Sequence, residues 1–574
     1  VPDGYTAEMA IPFKSLRYPR PADGQHHVWG FQIVREVKSK DQENIVWAPM
    51  SRGESSFFAQ MGVLEGMTGL STSRNIEILP TVTAVQYGTI DPTRPGGPGF
   101  VNQSMDPDAG VNVKYGITPN LTADFTVNPD FSQIESDRPQ IEVNQRFPLF
   151  YQELRPFFVE GAEIFEVAAP VTVVHTRTIV DPDYGAKLSG KVGRLSLGLL
   201  AANDAAPGKV DDPTNPLFER KAQTYIGRAR FNLYSESHVG AVLTDREFMD
   251  SYSRLGGLDG NFRLGATRSL NFNLMGTLHR DLDGVETDGY LADVRLRQNG
   301  RNLDWTLLTY QVSPDFQTDA GFVRRTDQRV LMGNVGYTFY PESWIIDWGP
   351  DVRYERNYDF DSVLQDEELR IGGNVNFARN IGIGGSFLRG MERFGGIDFE
   401  TQGFFVRGNV NTSRSFSFGG SFGMGEQIRY TSTPFLGDQV RWNVNTTLRP
   451  YSRLTSNLSF ESSTLTDPRN DDEEVFDVQI ARAQSTFQFT DRLLLRNITE
   501  YNTYDETFDL NLLVTYRVNA GTVFYVGYDD HYMQADLIEG DINGDGIDEQ
   551  LFYESDLRRT NRALFAKVQY LFRL

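Results

Sequence analysis

The last dozen residues, ALFAKVQYLFRL (Ala563–Leu574), constrain the fold more than any other segment. Counting back from the carboxyl end, Leu574, Phe572, Tyr570, Val568, Ala566 and Leu564 fall on one face of an extended chain. The other face takes Arg573, Leu571, Gln569, Lys567 and Phe565. Side chains alternate across a strand, so one face is continuously apolar and aromatic while the other carries cations and an amide. A soluble sandwich strand shows the same alternation. A strand ending flush at the C-terminus, with aromatics along its apolar face, is typical of the closing strand of an outer-membrane β-barrel. Such a strand is also the expected contact for the barrel assembly machinery.

The same texture runs through the chain from Ile76 onward, as segments of roughly 10 to 15 residues separated by turns. In Val440–Arg449, Val440, Trp442, Val444 and Leu448 oppose Arg441, Asn443, Asn445, Thr447 and Arg449. In Tyr290–Arg297, Tyr290, Ala292, Val294 and Leu296 oppose Asp293, Arg295 and Arg297. In Thr224–Leu233, Tyr225, Ala229, Phe231 and Leu233 oppose Arg228, Arg230 and Asn232, and Leu512, Val514, Tyr516 and Val518 oppose Asn511, Thr515 and Arg517. The polar face is too charged to be buried in a sandwich and suits a water-filled or plugged lumen. Arg228, Arg230, Arg295, Arg297, Arg441, Arg449, Arg517, Lys567 and Arg573 are therefore expected to line that lumen. They either tune it toward anionic or sugar-like solutes or pair with inward acids.

Turn lengths give an independent signal. Short connections fall near 118–120, 193–194, 299–301, 341–343, 379–380, 413–414, 491–492 and 519–521; longer polar ones lie near 90–106, 129–182, 205–220, 314–324, 429–436, 466–473 and 535–557. Short turns on one rim and long loops on the other are the asymmetry of bacterial outer-membrane barrels. The expected fold class is all-β, a large antiparallel transmembrane barrel of roughly 24 strands, within a range of about 20 to 26. An even count places both barrel ends in the periplasm.

Composition agrees. No stretch approaches about 18 consecutive apolar residues, so no transmembrane helix is expected, and a mean hydropathy of −0.40 suits a barrel that shows lipid only every second residue. The 40 Phe, 25 Tyr and 6 Trp exceed what a core requires and fit girdles at two membrane interfaces. Zero Cys excludes thiolate metal sites and a Cys nucleophile, and a formal charge of −22 argues against a nucleic-acid partner. The chain begins VPDGYTAEMAIP, without Met, and is expected to be processed or cut within a domain, its export signal removed.

Residues 1–70 differ from the rest. Tyr5–Phe13, Val28–Val37, Asn44–Pro49 and Phe57–Leu64 are short strand candidates of a partial β-sandwich on the periplasmic side, with Trp29, Phe31 and Ile33 on one face. Trp29 and Trp47 are either core residues or platforms for a sugar ring. Residues 71–574 form the barrel, interrupted at 129–170 by an insertion dense in Pro, charge and aromatics, which is either a plug inside the lumen or an external cap. Asp130, with Arg138, Arg146 and Arg155 and the acids Glu135, Glu142, Glu153, Glu160 and Glu163, is expected to pair across the contact between plug and wall.

The insertion also carries a resemblance. NPDFSQIESD (128–137) followed by RPFFVEGAEIF (155–165) resembles the hallmark of an outer-membrane family catalogued as domain of unknown function 5916. In that family a carbohydrate-binding module family 9-like domain precedes the barrel, and Tyr5–Gly69, with YTAEMAIPFKSLRY, VWGFQIVRE and MGVLEGMTGL, resembles the second half of that module. The resemblance implies an outer-membrane barrel and a possible carbohydrate partner, the latter by analogy with the module's name.

Motifs for chemistry are few. Asp541, Asn543, Asp545, the Ile547 carbonyl and Glu549 follow the start of a calcium loop, with Gly546 at the sharp turn. Phe552 stands where a bidentate Glu is expected, with Glu554 and Asp556 as substitutes, so the choice is between a weak calcium site and a solvated acidic turn. The six His show no metal-ligand spacing, and the adjacent His26 and His27 point to opposite faces if extended. Gly419–Gly423 matches a nucleophile elbow in letters only, because it sits in an alternating strand. No carboxylate pair stands out among 77 acids. No catalytic residue is assigned. Three readings follow: a barrel that passes a solute or polymer, a barrel-anchored surface binding protein with a calcium-ordered loop, and, with no motif behind it, a membrane-embedded hydrolase.

Overall fold

The computed structural model describes residues 8–9, 11, 18, 25–37, 43–51, 54, 56–68, 70, 76–91, 94, 99–131, 137–210, 212–234, 236–341, 343–519, 521–534, 539–540, 549–550 and 557–573. Among them, 24 antiparallel staves form one closed barrel. Sequence neighbours pair around the circumference, and the last long strand, Leu557–Gln569, returns to the first, Ile76–Asp91. Its partners there run from Thr89, opposite Asn561, to Thr81, opposite Gln569. Two staves are broken: Gly99–Asn102 and Asp106–Thr118 both pair with Ile76–Asp91, and Phe572–Arg573 continues the last strand beyond a short break.

Closure satisfies the backbone hydrogen bonds that hydrocarbon cannot. Alternation then sorts the side chains. Leu243, Leu258, Leu274 and Leu331 point outward and are 55–64% exposed, forming an apolar belt. Aromatics flank the belt on both sides. Phe231, Tyr337, Trp348, Tyr451, Tyr516 and Tyr570 lie near the short-turn rim, and Tyr184, Tyr225, Tyr290 and Tyr354 lie toward the other rim. This outer surface is that of a bacterial outer-membrane barrel.

The rims differ as the turn lengths predict, with exceptions. On the long-loop rim, Phe248 and Ser251 are joined through Met249–Asp250 alone, and Phe394 and Ile397 through Gly395 (φ 59°) and Gly396 (φ 81°). Two positive φ values in a row make the tight hairpin turn whose twist matches the strands, and glycine adopts it without strain. The 90–106 connection contains the short strand Gly99–Asn102, which folds back on Gly88–Asp91.

The described N-terminal residues form two small sheets, His27–Phe31 with Gly62–Met67 and Val34–Val37 with Glu43–Val46. The expected continuous strand Val28–Val37 is thus split, and Ile33 does not join Trp29 and Phe31 in one strand. The break has a local cause: the Gln32 amide donates to the Ala48 carbonyl and accepts from the Ala48 N–H, both at 2.9 Å, in place of a ladder partner. The expected strand Tyr5–Phe13 lies outside the described residues. Arg263, at a short turn, bonds Glu54 and Glu236, so this region sits at the short-turn rim.

Leu274 lies midway along Arg268–Arg280, beside Leu258. Leu274→Arg is expected to destabilise the barrel by about 2–4 kcal/mol, the cost of a cation at the bilayer midplane. Leu274→Ala should cost far less. Urea titration in lipid vesicles measures both, and equal costs would place Leu274 away from lipid.

Candidate functional site

The chain leaves the wall after Leu121–Val127 and rejoins it at Pro182–Val192, and the described residues between these points, 128–131 and 137–181, lie inside the barrel. The contacts settle this, because one connection touches staves around much of the circumference on the face opposite the lipid-facing leucines and aromatics. Lys567 Nζ donates to the Asp130 carbonyl (2.8 Å) and pairs with its carboxylate (3.2 Å). Arg482 Nη1 donates to the Asp137 carbonyl (2.8 Å). Ile141 and Val143 pack on Leu465, Phe476, Val478 and Ile480. Asn144 behaves as an extra strand residue: its amide donates to the Ile428 carbonyl (2.9 Å) and accepts from the Tyr430 N–H (2.8 Å).

The outer part of the insertion is held by charge. Arg146 Nη1 bonds Glu392 (2.6 Å) and Asp366 (3.2 Å), while Nη2 donates to the Arg393 carbonyl (3.2 Å). Arg325 takes the other oxygen of Asp366, and the Tyr430 hydroxyl donates to Glu392 at 2.8 Å. Phe147 sits among Arg146, Arg324 and Arg325, each within 5.0–5.5 Å of its ring centre. Burial, with Glu392 beside it, holds the Tyr430 phenol well above its usual range, so it stays a donor.

The second half is held by burial. Val171 and Val173 join Val242, Leu255, Met275, Leu291, Val312 and Phe316 in an apolar core, and Phe158, Phe165 and Ile179 join Leu200, Ala202 and Ile226. Thr172 bridges Phe322 backbone to backbone, and the Asn273 amide donates to the Ala168 carbonyl at 2.9 Å.

The expected pairs sort into three groups. Asp130, Arg146 and Glu160 reach the wall, Glu160 through Lys114. Arg155 stays within the insertion: it bonds Glu153 (2.7 Å) and the Ile179 and Thr176 carbonyls, and it lies 4.4 Å over the Phe158 ring. Glu142 likewise accepts from the Tyr151 hydroxyl at 3.0 Å. Arg138 and Glu163 border cavities, and Glu135 lies outside the described residues. Sequence reasoning missed Asn144, Phe147 and the acids Asp366 and Glu392. The wall acids show only the ordinary strand alternation.

The inward cations differ in their partners. Arg228 is 2% exposed and makes a bidentate pair with Asp259, 2.8 Å on the Nη2 arm. Lys567 holds Asp130, and Arg573 Nε bonds Glu77 at 2.9 Å. Arg297 reaches the Asn299 amide oxygen (3.0 Å) and Arg441 that of Gln427 (3.3 Å). Arg230, Arg295, Arg449 and Arg517 form no ion pair among the described residues. Gly419–Gly423 lies within the wall strand Phe416–Arg429. Asp541, Asn543, Asp545 and Ile547 lie outside the described residues, and Glu549 is described only as part of the short strand Glu549–Gln550.

The insertion leans to one side. Where it docks, inward residues are sealed: Val242 and Val312 are 0% and Leu291 1% exposed. A chamber of about 750 Å³ remains there, bordered by Glu153, Glu166, Arg230 and His238. On the arc formed by Ile397–Val410, Phe416–Arg429 and Phe435–Tyr451, the inward Arg407, Asn409, Arg441, Asn445 and Arg449 are exposed. Glycine keeps that arc low: Gly403, Gly419, Gly423 and Gly425 share the inward face. A water-accessible crevice runs between the insertion and this arc.

Residues 99–174 match the family model described as "Domain of unknown function (DUF5916)". No curated protein matches the chain in sequence. Among solved structures, the siderophore receptor PirA from Pseudomonas aeruginosa is similar at 7% identity and a TM-score of 0.42, over 90% of this chain and 83% of that one. The FrpB iron transporter from Neisseria meningitidis (F3-3 variant) is similar at 10% identity and a TM-score of 0.40, over 90% of this chain and 85% of that one. Function must be argued from this chain's own residues.

Two outcomes follow for the insertion. Burial, with the charges of Arg177 and Arg155, holds the His175 imidazole below its ordinary 6.5 against the opposing pull of Glu153. An undocked insertion therefore takes up the proton first, and the docked form loses stability as the pH falls below about 6.5. Burial alone would raise the Glu153 carboxyl, but bonds from Arg155 and Thr176 hold it below its ordinary 4.5, so it stays ionised through that window. Limited proteolysis of residues 137–181 should be faster at pH 5.5 than at 7.5. His175→Phe, which keeps a ring against Phe150 and Phe322, should flatten that difference. Separately, Arg146→Ala leaves Glu392 with Tyr430 alone and should cost the docked insertion about 1–3 kcal/mol, read by the same assay at pH 7.5.

Proposed function

We propose that the protein is a transport barrel that passes a hydrophilic solute along the crevice between the insertion and the arc of residues 397–451. One observation carries this reading: the insertion seals one side of the lumen and leaves Arg407, Asn409, Arg441, Asn445 and Arg449 exposed on the other, with Ser421, Asn443 and Thr447 half-buried between them. A plug needed only to fill a barrel would be expected to bury all sides alike. The insertion is tethered to the wall at both ends, so it can shift within the lumen but cannot leave as a domain. Its outer half rests on ion pairs, which are more readily rearranged than the apolar core of its second half.

A sugar link remains a proposal. Trp47 supports it, being 55% exposed, while Trp29 is engaged by Tyr18 and His27.

The chain has no Cys, so single cysteines report on the crevice directly. A Cβ at Gly419 meets only the Gly408 carbonyl, at 4.0 Å, so Gly419→Cys fits the wall. In planar bilayers, a charged methanethiosulfonate should lower the single-channel current of Gly419→Cys and Asn445→Cys. It should leave Val440→Cys, on the lipid face, unchanged. A folded barrel that carries no current, or crevice cysteines that never react, would end this reading.

A further inference from the structure

The open arc has a charge pattern that composition does not predict. Acids outnumber bases in this chain, 77 to 55. Yet the inward face of Ile397–Val410, Phe416–Arg429 and Phe435–Tyr451 carries Arg407, Arg429, Arg441 and Arg449 and no carboxylate. The acids of these strands, Asp398, Glu400, Glu426 and Asp438, all fall on the opposite face, as the cross-strand register requires. Two are occupied there: Asp398 pairs with Arg393 at 2.6 Å, and Glu426 accepts the Gln402 N–H at 2.9 Å.

The four arginines are spread along the height of the wall. Arg407 is level with Ser421 and Asn443, and Arg429 with Phe435 at the outer end. At about 3.4 Å per residue, Arg407 and Arg441 stand roughly 20 and 27 Å along the strand from Arg449. Between them the inward side chains are Asn, Gln, Ser, Thr and Gly, apart from Phe399 and Phe405 on one strand and Phe435 at the outer end. The guanidinium groups are also available. The side chains of Arg407 and Arg449 form no hydrogen bond or ion pair among the described residues. Arg441 reaches only the neutral Gln427 amide, and Arg429 lies 5.6 Å over the Phe476 ring. Elsewhere on the wall several such cations are neutralised, as in Arg228–Asp259, Arg482–Glu500 and Arg353–Glu355, while Arg230, Arg295 and Arg517 stand singly and not as a group free of inward acids. The acids on the two adjoining strands are restrained as well: Glu392 holds Arg146 at 2.6 Å, and Glu461 accepts the Asn443 amide at 3.0 Å.

We infer that this arc is an anion track, selecting solutes that carry carboxylate, phosphate or sulfate groups. Guanidinium groups offer paired N–H donors that match an oxyanion edge, and successive sites that hold it weakly allow passage from one to the next. The inference rests on the conduction reading above, and the two fail in different ways.

The test uses the intact barrel in planar bilayers under a tenfold KCl gradient. The expected result is a several-fold preference for chloride over potassium, and a chloride current reduced by millimolar inorganic phosphate. Arg407→Gln/Arg441→Gln/Arg449→Gln should bring the permeability ratio several-fold down toward unity and abolish the phosphate effect while current persists. Arg407→Lys, which keeps the charge, should retain the preference, and it serves if the triple variant does not fold. A conducting barrel that prefers potassium, or a folded triple variant with unchanged selectivity and phosphate block, overturns the anion track alone. A folded barrel without current overturns both readings.

Discussion

Everything in this protein depends on the ladder between its first and last staves. Residues Asn561–Gln569 pair with Thr81–Thr89, and without that row two edges of unmade backbone hydrogen bonds would face hydrocarbon. Each such group costs several kcal/mol in a bilayer, so closure is a condition of existence rather than an added stability. With 24 staves, closure also creates a lumen far wider than wall side chains can fill. The insertion is the chain's answer to that geometry.

The insertion uses two kinds of bond in two places. Its second half docks as a soluble domain would, by burying valines and phenylalanines against inward apolar residues of the wall. Its first half lies across the lumen on arginine–carboxylate pairs, a backbone-like Asn144 and rings stacked under guanidinium groups, with Ile141 and Val143 also packed on an apolar patch of the wall. Apolar packing holds position regardless of salt, whereas partly exposed ion pairs weaken with it. The wall is matched to this division. Apolar residues replace the usual polar inward set where the insertion docks by burial, and glycine, amide and arginine line the arc that it leaves most open.

Much of the architecture was legible in the chain. Period-two alternation identifies staves such as Glu286–Asn299 and Phe435–Tyr451, because lipid imposes the same demand at every second position. Turn lengths separate the two rims, and 128–137 with 155–165 carry the family resemblance that the match over residues 99–174 repeats. The exceptions have local causes. The Gln32 side chain takes a partner that a strand would have used, and Gly395–Gly396 closes in two residues a turn on the long-loop rim. The partners of the insertion were not legible: Arg146 meets Asp366 and Glu392 more than 200 positions away.

The sequence by itself determined the barrel, its membrane and which face of each strand meets lipid, since these follow from alternation within ten or fifteen residues and from the cost of unpaired backbone in hydrocarbon. Only the tertiary structure decided where the insertion lies, which cations are neutralised and which arc stays open. Those outcomes depend on side chains from distant staves arriving at the same height in a closed ring, and height is set by register summed around the barrel. Arg228 and Arg449 look alike in their strands. One is buried against Asp259, and the other stands in water, for that reason alone.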